Sequence, residues 1–419
     1  MTRLSVLARP RVLALAMALG LSVTLLPADP ASAATNRITK RNLAMTDFDP
    51  QTWPTEKVGA IRLWDSGVTW RQIETAPGVF DYSRLDDQVS AARARGAQVL
   101  LVLGQTPGFH ALKPNAPGVY GPGATSMPTL TSWRKYVGNV VRRYKGRGVD
   151  YQVWNEANVS SFWTGTKPQM ATLTKVASKV VANNDASADV VSPALATRLT
   201  SQRRYLRDFY ALRTGRRPVA SWVDVVSLHF YPLRKDGPED AAKLLAASRI
   251  MLGALNIRKP IWNTEVNYGL KTGGGGSSPT LTNARQAAFV ARTYLLDASG
   301  GAKRTFWYSW DLQGSLASIK LSTPTGAATP AGKAFGVVGD WMIGTRMAGC
   351  SRSSAGTYTC KLNFSGGVKR VYWNPSRTVT VRTVASATRS TTLAGTSTAI
   401  KGPKSLRVGF SPVMVRSGR

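Results

Sequence analysis

The amino-acid sequence predicts an α/β protein, a (β/α)8 TIM barrel followed by a small C-terminal β-sandwich domain. From about residue 60 to residue 310, short β-branched runs alternate with stretches that carry apolar residues at helical spacing, as in parallel sheets with helical crossovers. After Trp310 the pattern changes to short alternating strands between Gly, Ser, Asn and Pro turns. An open doubly wound sheet is the alternative, but no G-x-G-x-x-G motif follows the first strand.

The first 33 residues resemble a secretory signal peptide in their pattern. Three Arg precede an apolar stretch from Val12 to Leu26, and the small-residue site Ala31-Ser32-Ala33 follows. We expect cleavage after Ala33. An uncleaved membrane anchor is the alternative, although the apolar run is short for a span. The mature protein is therefore expected to be secreted, extracellular or associated with the cell wall, without a transmembrane anchor.

The predicted barrel occupies residues 34–342 and needs eight strands. Seven are clear, at about residues 60–64, 98–104, 150–156, 189–192, 223–231, 260–266 and 304–310. The eighth is a weak apolar run at residues 42–46, which comes first in the chain. Helical periodicity is found at residues 82–95, 130–147, 169–184, 202–214, 239–256 and 283–299, with a last helix at about 334–341.

Residues 343–419 are predicted to form the β-sandwich, with strands at 357–359, 368–373, 378–384 and 406–415. The sequence has two Cys, Cys350 and Cys360. A disulfide that closes a small hairpin suits an oxidising compartment, and two free thiols are the alternative. The Gly-Ser run at residues 273–278 is predicted to be a mobile loop, because it lacks the Lys and the helix start of a phosphate-binding loop.

The charge balance is strongly basic. Lys and Arg number 55 against 22 Asp and Glu, a net charge of +33, and loss of residues 1–33 would leave +31. Such a surface favours acidic or cell-wall glycans, with a merely solvated basic surface as the alternative. No recognised motif supports a nucleic-acid partner. The two His lie far from both Cys, which disfavours a zinc site, and no G-x-S-x-G elbow occurs.

Scarce titratable residues fall at the ends of predicted strands, where the pocket of a (β/α)8 barrel forms. Glu156 and Glu265, two of only five Glu, end the fourth and seventh strands. His229 closes the sixth strand, and His110 lies in the loop after the third. Two carboxylates facing one pocket suit glycosidic bond cleavage, because one delivers a proton and the other attacks the anomeric carbon or activates water. A structural pairing of one Glu with a barrel Arg such as Arg62 is the alternative.

The motifs around these two Glu resemble those of the retaining glycoside hydrolases of clan A. They are Trp154-Asn155-Glu156 and Trp262-Asn263-Thr264-Glu265, with further similar stretches at residues 70–81 and 103–107. The pattern is similar to that of a family 39-like or family 5-like enzyme with a C-terminal β-domain. The resemblance implies a secreted β-glycoside hydrolase that cleaves a polysaccharide or oligosaccharide by two-glutamate double displacement, without a metal or an organic cofactor.

The same resemblance implies a role for each matching residue. Glu156 would be the acid/base, with a pKa raised by the charge of Glu265, and Glu265 would be the nucleophile. The predicted substrate-binding and supporting residues are Asn155 at the sugar 2-hydroxyl, Arg62 and Tyr231 as donors to Glu265, His229 as an orienting residue, Trp310 stacking beneath the sugar, and His110. A loop-capping Asn is the alternative for Asn155. Asp65 and Asn158 are further candidates for the pocket lining.

Two other functions are compatible with these residues. A non-catalytic glycan-binding or wall-binding protein would keep the pocket without turnover, although it would have no need of both Glu. A transglycosylase would use the same residues and pass the sugar to a second sugar in place of water. We expect a monomer.

Overall fold

The computed structural model describes residues 37–46, 49, 53–269, 281–310 and 318–418. The predicted signal peptide and the Gly-Ser run at residues 273–278 lie outside these residues. The described chain forms a parallel barrel followed by an antiparallel region. None of its helices is long and apolar enough to cross a membrane.

The parallel strands follow one another around the barrel in chain order. They are β1 (Leu43–Thr46), β2 (Ala60–Leu63), β3 (Gln98–Leu103), β4 (Val149–Val153), β5 in two segments (Val190–Val191 and Leu195–Ala196), β6 (Val226–His229), β7 (Ile261–Val266) and β8 (Ala302–Tyr308). β1 pairs with both β2 and β8. The first segment of β5 pairs with β4, and the second pairs with β6. The sheet therefore closes into the predicted barrel.

A long helix follows each strand from β2 onward. These helices are α1 (Ser83–Ala94), α2 (Leu130–Tyr144), α3 (Lys167–Asn184), α4 (Thr200–Ala211), α5 (Pro238–Ala254), α6 (Asn283–Gly300) and α7 (Pro330–Met342). Thr129, Thr166, Thr282 and Thr329 cap α2, α3, α6 and α7 by accepting a hydrogen bond from a backbone N–H of the first turn. The helices match the predicted stretches closely, except that α7 begins at Pro330, ahead of the predicted start at residue 334.

The first strand had the weakest sequence signal, and the fifth differs from its prediction. β1 confirms the weak apolar run, and all four of its residues are buried. β5 is interrupted because Pro193 lies between its two segments and has no N–H to donate to a neighbouring strand. The predicted strand at residues 189–192 is therefore only the first half of β5.

Alternate residues of each strand point into the barrel lumen. The residues of opposite parity, such as Val99 and Tyr151, join the large core under the helices. A separate small cluster fills the lumen, formed by Ala44, Ala60, Leu100, Val191, Val225, Trp262 and Phe306. Two residues further along several strands, the inward positions are polar: Gln98 and Arg304 in one direction, and Thr46, Arg62, Ser227 and Thr264 in the other. The lumen therefore has an apolar middle and two polar ends.

The C-terminal region is the predicted small β-sandwich. Its larger sheet has six strands in the order β9 (Arg346–Arg352), β10 (Tyr358–Phe364), β11 (Gly367–Trp373), β16 (Val413–Gly418), β13 (Ala387–Thr392) and β14 (Ser397–Ala399). A ribbon of β12 (Val379–Arg382) and β15 (Ser405–Val408) packs on it through Val379, Val381 and Leu406. β9, β13 and β14 were not predicted, because their Arg, Ser, Thr and Gly residues are mostly exposed and carry little apolar pattern.

The sandwich is tied to the barrel helices by polar and aromatic contacts. Glu239 of α5 accepts hydrogen bonds from Trp373 Nε1 and Arg292 Nε, both at 2.8 Å. The Arg292 guanidinium in turn lies 4.4 Å from the ring centre of Phe410. Cys350 and Cys360, directly opposite each other on β9 and β10, form the predicted disulfide.

Candidate active site

The carboxyl ends of the barrel strands bring most of the predicted site residues together. Arg62 and His229 lie at inward positions on β2 and β6, two residues or more beyond the apolar lumen cluster. Glu265 lies near the end of β7, where the pairing register with β6 shifts by one residue. Alternation along β2 and β6 therefore points Arg62 and His229 at one end of the lumen, and the register shift brings Glu265 to the same end, although its parity is opposite to that of Trp262.

Glu265 is held by two donors, one on each carboxylate oxygen. Arg62 Nη1 donates to Oε1 at 2.5 Å, and the Tyr231 hydroxyl donates to Oε2 at 2.9 Å. Arg62 is completely buried, so its positive charge has little solvent to screen it. Both carboxylate oxygens of Glu265 therefore have a fixed donor, one of which is a cation.

Arg62 also fixes two neighbouring amides. Its Nε donates to Gln152 Oε1 at 2.6 Å, and its Nη2 donates to Asn155 Oδ1 at 2.7 Å. Gln152 Nε2 in turn donates to Ser227 Oγ at 2.5 Å. The sequence analysis did not identify Gln152. Its signal was available, since Gln152 is a polar residue at an inward position of β4.

Glu156 lies beyond the end of its strand, in a sharp turn. β4 ends at Val153, and Trp154 and Glu156 have φ values of 73° and 38°, which side-chain-bearing residues seldom adopt. Backbone hydrogen bonds between this turn and Ala194 hold it, from Ala194 N to Trp154 O at 3.1 Å and from Ala157 N to Ala194 O at 3.0 Å. The turn, and not the strand, therefore presents the Glu156 carboxyl.

Burial raises the pKa of Glu156 to about 7, and the charges of Arg198 and Arg62 lower it. The predicted cause of this rise, the charge of Glu265, is wrong, because burial is the cause. His229 Nδ1 lies 2.9 Å from Glu156 Oε1 and 3.6 Å from Glu265 Oε2. Burial lowers the pKa of His229 to about 3, so this imidazole is neutral near pH 7.

The two carboxylates are close neighbours. One oxygen of Glu156, one oxygen of Glu265 and one ring nitrogen of His229 all lie within 4.8 Å of one another. These three atoms could also ligate a divalent ion. However, the Arg62 guanidinium on Glu265 and the charge of Arg198 near Glu156 both disfavour a bound cation.

A pocket of about 100 Å³ opens beside Glu156. Glu156, His229 and Tyr231 line one part of it, and Thr197, Arg198 and Gln202 line another. A larger cavity of about 370 Å³ lies elsewhere, next to Arg37, Arg346 and Phe364, and it contains no carboxylate. The chemistry of the residues therefore favours the smaller pocket as the reaction site.

Asp65, which follows β2, is a third carboxyl group near the pair. It accepts hydrogen bonds from the hydroxyl groups of Tyr120 and Tyr308, the latter at 3.0 Å. Burial raises the pKa of Asp65, and the nearby charges of Arg62 and Glu156 also act on it. Tyr120 was not identified from the sequence, since it lies in a long loop without a motif.

Three other predicted residues have different surroundings. His110 lies 3.0 Å from Glu74 Oε1 and stacks on Trp70, so the structure does not bring it to the two Glu. Only 1% of Trp310 is exposed, so stacking on a sugar would require its ring to be uncovered. Asn158 braces β5 through hydrogen bonds with Ala196 in both directions, at 2.8 and 3.0 Å.

Searches against known proteins gave a clear result only at the level of structure. No family model matches the chain, and no curated protein matches it. Among solved structures, a family 39 glycoside hydrolase from Bacteroides cellulosilyticus is 16% identical with a TM-score of 0.69, over 92% of this chain and 83% of that one. The chain shares the fold of this structure, a (β/α)8 barrel with a C-terminal β-domain.

Two further structures support this assignment of the fold. A family 39 β-xylosidase from Caulobacter crescentus is 16% identical with a TM-score of 0.63, over 92% of this chain and 98% of that one. A family 30 endoxylanase from Clostridium papyrosolvens is 14% identical with a TM-score of 0.62, over the same shares. The resemblance to clan A inferred from the motifs is thereby confirmed for the fold, while the chemistry has to be argued from the residues.

Proposed function

We propose that the protein is a secreted, retaining β-glycosidase that acts on a polysaccharide or oligosaccharide through Glu156 and Glu265. The observation that carries the proposal is the approach of the two carboxylates to within 4.8 Å. Retaining glycosidases place their carboxyl groups about 5 to 5.5 Å apart, whereas inverting enzymes need about 6.5 to 9.5 Å to fit a water. The short separation therefore favours direct attack by one Glu.

The two Glu have different surroundings. With a pKa of about 7, Glu156 carries its proton in a substantial fraction of molecules near neutral pH. Glu265 instead accepts a hydrogen bond from a guanidinium on one oxygen and from a phenol on the other. Two carboxyl groups in contrasting environments are what acid and nucleophile roles require.

The reaction would proceed in two displacements. First, a Glu265 oxygen bonds to the anomeric carbon while the bond to the leaving oxygen breaks, and that oxygen takes the proton of Glu156. Next, Glu156 takes a proton from water, and the water oxygen bonds to the anomeric carbon and releases Glu265. Asn155, oriented by Arg62 through its Oδ1, can offer its Nδ2 as a donor to a sugar hydroxyl.

The proposal is tested with protein purified from the culture medium and a panel of β-linked glycans and aryl β-glycosides. Because two structural neighbours are named as a xylosidase and a xylanase, xylosides and xylans come first on the panel. We expect Glu265→Gln to lower kcat by more than about 10⁴-fold, and Glu156→Gln by about 10² to 10⁴-fold. Asp340→Asn, a change at an exposed carboxylate on α7, serves as the control and should retain full activity.

Two readouts separate the proposed mechanism from its alternatives. The first-formed product should have the β configuration, seen by NMR before mutarotation, and an activated fluoro-sugar should label Glu265 covalently. Inversion of the anomeric centre would refute the nucleophile role of Glu265. Glycan binding without turnover, unchanged in the two Gln variants, would indicate a binding protein. Intact mass of the secreted chain tests cleavage after Ala33.

A further inference from the structure

Arg198 lies at the edge of the reaction pocket, in the loop between β5 and α4. It lines the same 100 Å³ space as Glu156 and Tyr231. Its side chain is half-buried, so part of its surface faces the pocket and part faces the protein. Neither the sequence motifs nor the mechanism above gives this residue a role.

The guanidinium of Arg198 has no hydrogen-bond or ion-pair partner among the residues that the structure describes. Its neighbours differ in this respect. Arg203 Nη1 donates to the carbonyl oxygens of Thr197 and Arg198, at 2.8 and 2.9 Å, and Arg207 pairs with Asp208. The backbone of Arg198 is therefore fixed by Arg203, while its own five N–H donors are available.

The charge of Arg198 acts on Glu156, the proposed acid/base. Its effect on the pKa of Glu156 is larger than that of Arg62, and both lower this pKa. When Glu156 holds its proton, Arg198 has no anion to compensate it in a partly desolvated pocket. The group that receives the proton of Glu156 is the leaving oxygen, so the space beside Arg198 belongs to the leaving group.

We propose that Arg198 binds a negatively charged substituent, a carboxylate or a sulfate, on the leaving-group sugar of the substrate. The proposal rests on the proposed glycosidase function and narrows its substrate to anionic glycans. A planar guanidinium matches a carboxylate or sulfate edge with two parallel hydrogen bonds, which a lysine could not provide. Arg198 is then a specificity residue, and the anionic substituent supplies the counter-charge that the pocket lacks.

Three aryl β-xylosides test the proposal, with the leaving phenol carrying a 4-carboxylate, a 4-sulfonate or the neutral 4-carboxamide. We expect the wild type to prefer one of the anions over the carboxamide by about 10- to 100-fold in kcat/KM, the range of one charge-assisted contact. Arg198→Gln should abolish this preference. Arg204→Gln, which removes the same charge from an exposed position of α4, should preserve it. Preference for the carboxylate or for the sulfonate identifies the anion.

Other outcomes would overturn the proposal. If Arg198 only adjusts Glu156, Arg198→Gln will shift the alkaline limb of the pH profile equally for all three compounds and leave their ratio unchanged. Equal rates in the wild type would refute the anion site while leaving the glycosidase function intact. If no xyloside is hydrolysed, calorimetric titration of the same compounds decides. Binding that does not depend on charge or on Arg198 refutes the anion site separately from the failure of turnover.

Discussion

At each end of the barrel lumen, an Arg side chain is bonded to one carboxylate and one Gln. At the carboxyl end of the strands, Arg62 donates to Glu265 and Gln152. At the amino end, Arg304 donates to Asp150 at 3.2 Å and to Gln98 at 2.7 Å. The apolar lumen cluster, which includes Trp262, separates the two groups, and the Arg304 guanidinium lies 3.9 Å from the Trp262 ring centre.

The two ends of the lumen differ in what surrounds the Arg–carboxylate pair. Near Glu265 there are a second carboxyl group, a neutral imidazole and an open pocket. Asp150 instead accepts from the backbone N–H of Asp189 at 3.1 Å, and only 2% of it is exposed. A buried Arg–carboxylate pair is therefore not by itself a sign of catalysis. Asp150 also has a second carboxyl group near it, since the charge of Asp189 raises its pKa. The difference lies in the neutral imidazole next to the two Glu and in the open pocket, which leaves space for a substrate.

The largest expected difference between the two ends of the lumen comes from replacing Arg62 or Arg304 by Met, which removes the charge and keeps a similar volume. Arg62→Met should lower kcat by about 10² to 10³-fold, because Glu265 loses a preorganised charge partner. Arg304→Met should leave kcat within a factor of two, by the rough expectation for a change remote from the substrate. Each variant should lose about 3 kcal/mol of stability, since a buried carboxylate is left without its cation. Steady-state kinetics and urea unfolding measure the two effects.

The proposed difference between the two ends of the lumen would be refuted if Arg62→Met and Arg304→Met both lost activity in proportion to their lost stability. In that case the loss of kcat would reflect unfolding, and the two ends would be equivalent. Assays at a temperature well below both unfolding midpoints remove this ambiguity. Reduced activity of Arg304→Met under those conditions would show that contacts at the amino end of the lumen affect the geometry of the active site through the lumen cluster.

A second prediction uses pH to separate the two ends. The pKa of Glu156 is raised to about 7 and that of Asp150 to about 6, both by burial. Since a general acid must hold its proton, kcat/KM should fall about tenfold per pH unit above pH 7. Asp150→Asn should leave that limb in place. Glu156→Gln should remove it along with most of the activity.

Stability should respond at both ends with the same sign. A carboxyl group whose folded pKa is raised binds its proton more tightly in the folded state, so stability is lost as pH rises through the window between the two pKa values. For Asp150 this window runs from 3.8 to about 6. Asp150→Asn should reduce the pH slope of the unfolding free energy there by up to about 1.4 kcal/mol per unit. An unchanged slope would contradict burial as the cause.

The sequence predicted the barrel because its evidence is local and repeated. Strand and helix periods and the positions of the scarce Glu and His residues are all visible over short spans of sequence. The weak β1 was predicted because a closed barrel needs an eighth strand. The polar ends of the lumen were harder to predict. Arg62 was identified through its likeness to the clan, whereas Gln152, Arg198 and Tyr120 depend on contacts made between distant strands and loops.

The raised pKa of Glu156 could not be predicted from the sequence for a similar reason. Its pKa depends on how much solvent the surrounding elements remove, and no pattern within the chain reports that quantity. The roles of His110 and Trp310 could not be predicted from their positions in the sequence. Each role depends on the side chains that contact the residue in the folded protein. Strand parity, by contrast, could have found Gln152, since β4 places Asp150 and Gln152 on one face.

The smallest expected contrast is between the two Gln residues. Gln152→Leu leaves Arg62 Nε without its acceptor at 2.6 Å, and we expect kcat to fall about tenfold at nearly constant KM, the cost of one hydrogen bond to a charged group. Gln98→Leu removes the matching acceptor of Arg304 and should cost about 1 kcal/mol of stability without changing kcat. Unchanged kcat in Gln152→Leu would mean that Glu265 and Asn155 alone orient Arg62. Gln152 would then support the barrel, and the functional difference between the two ends would begin at the carboxylates.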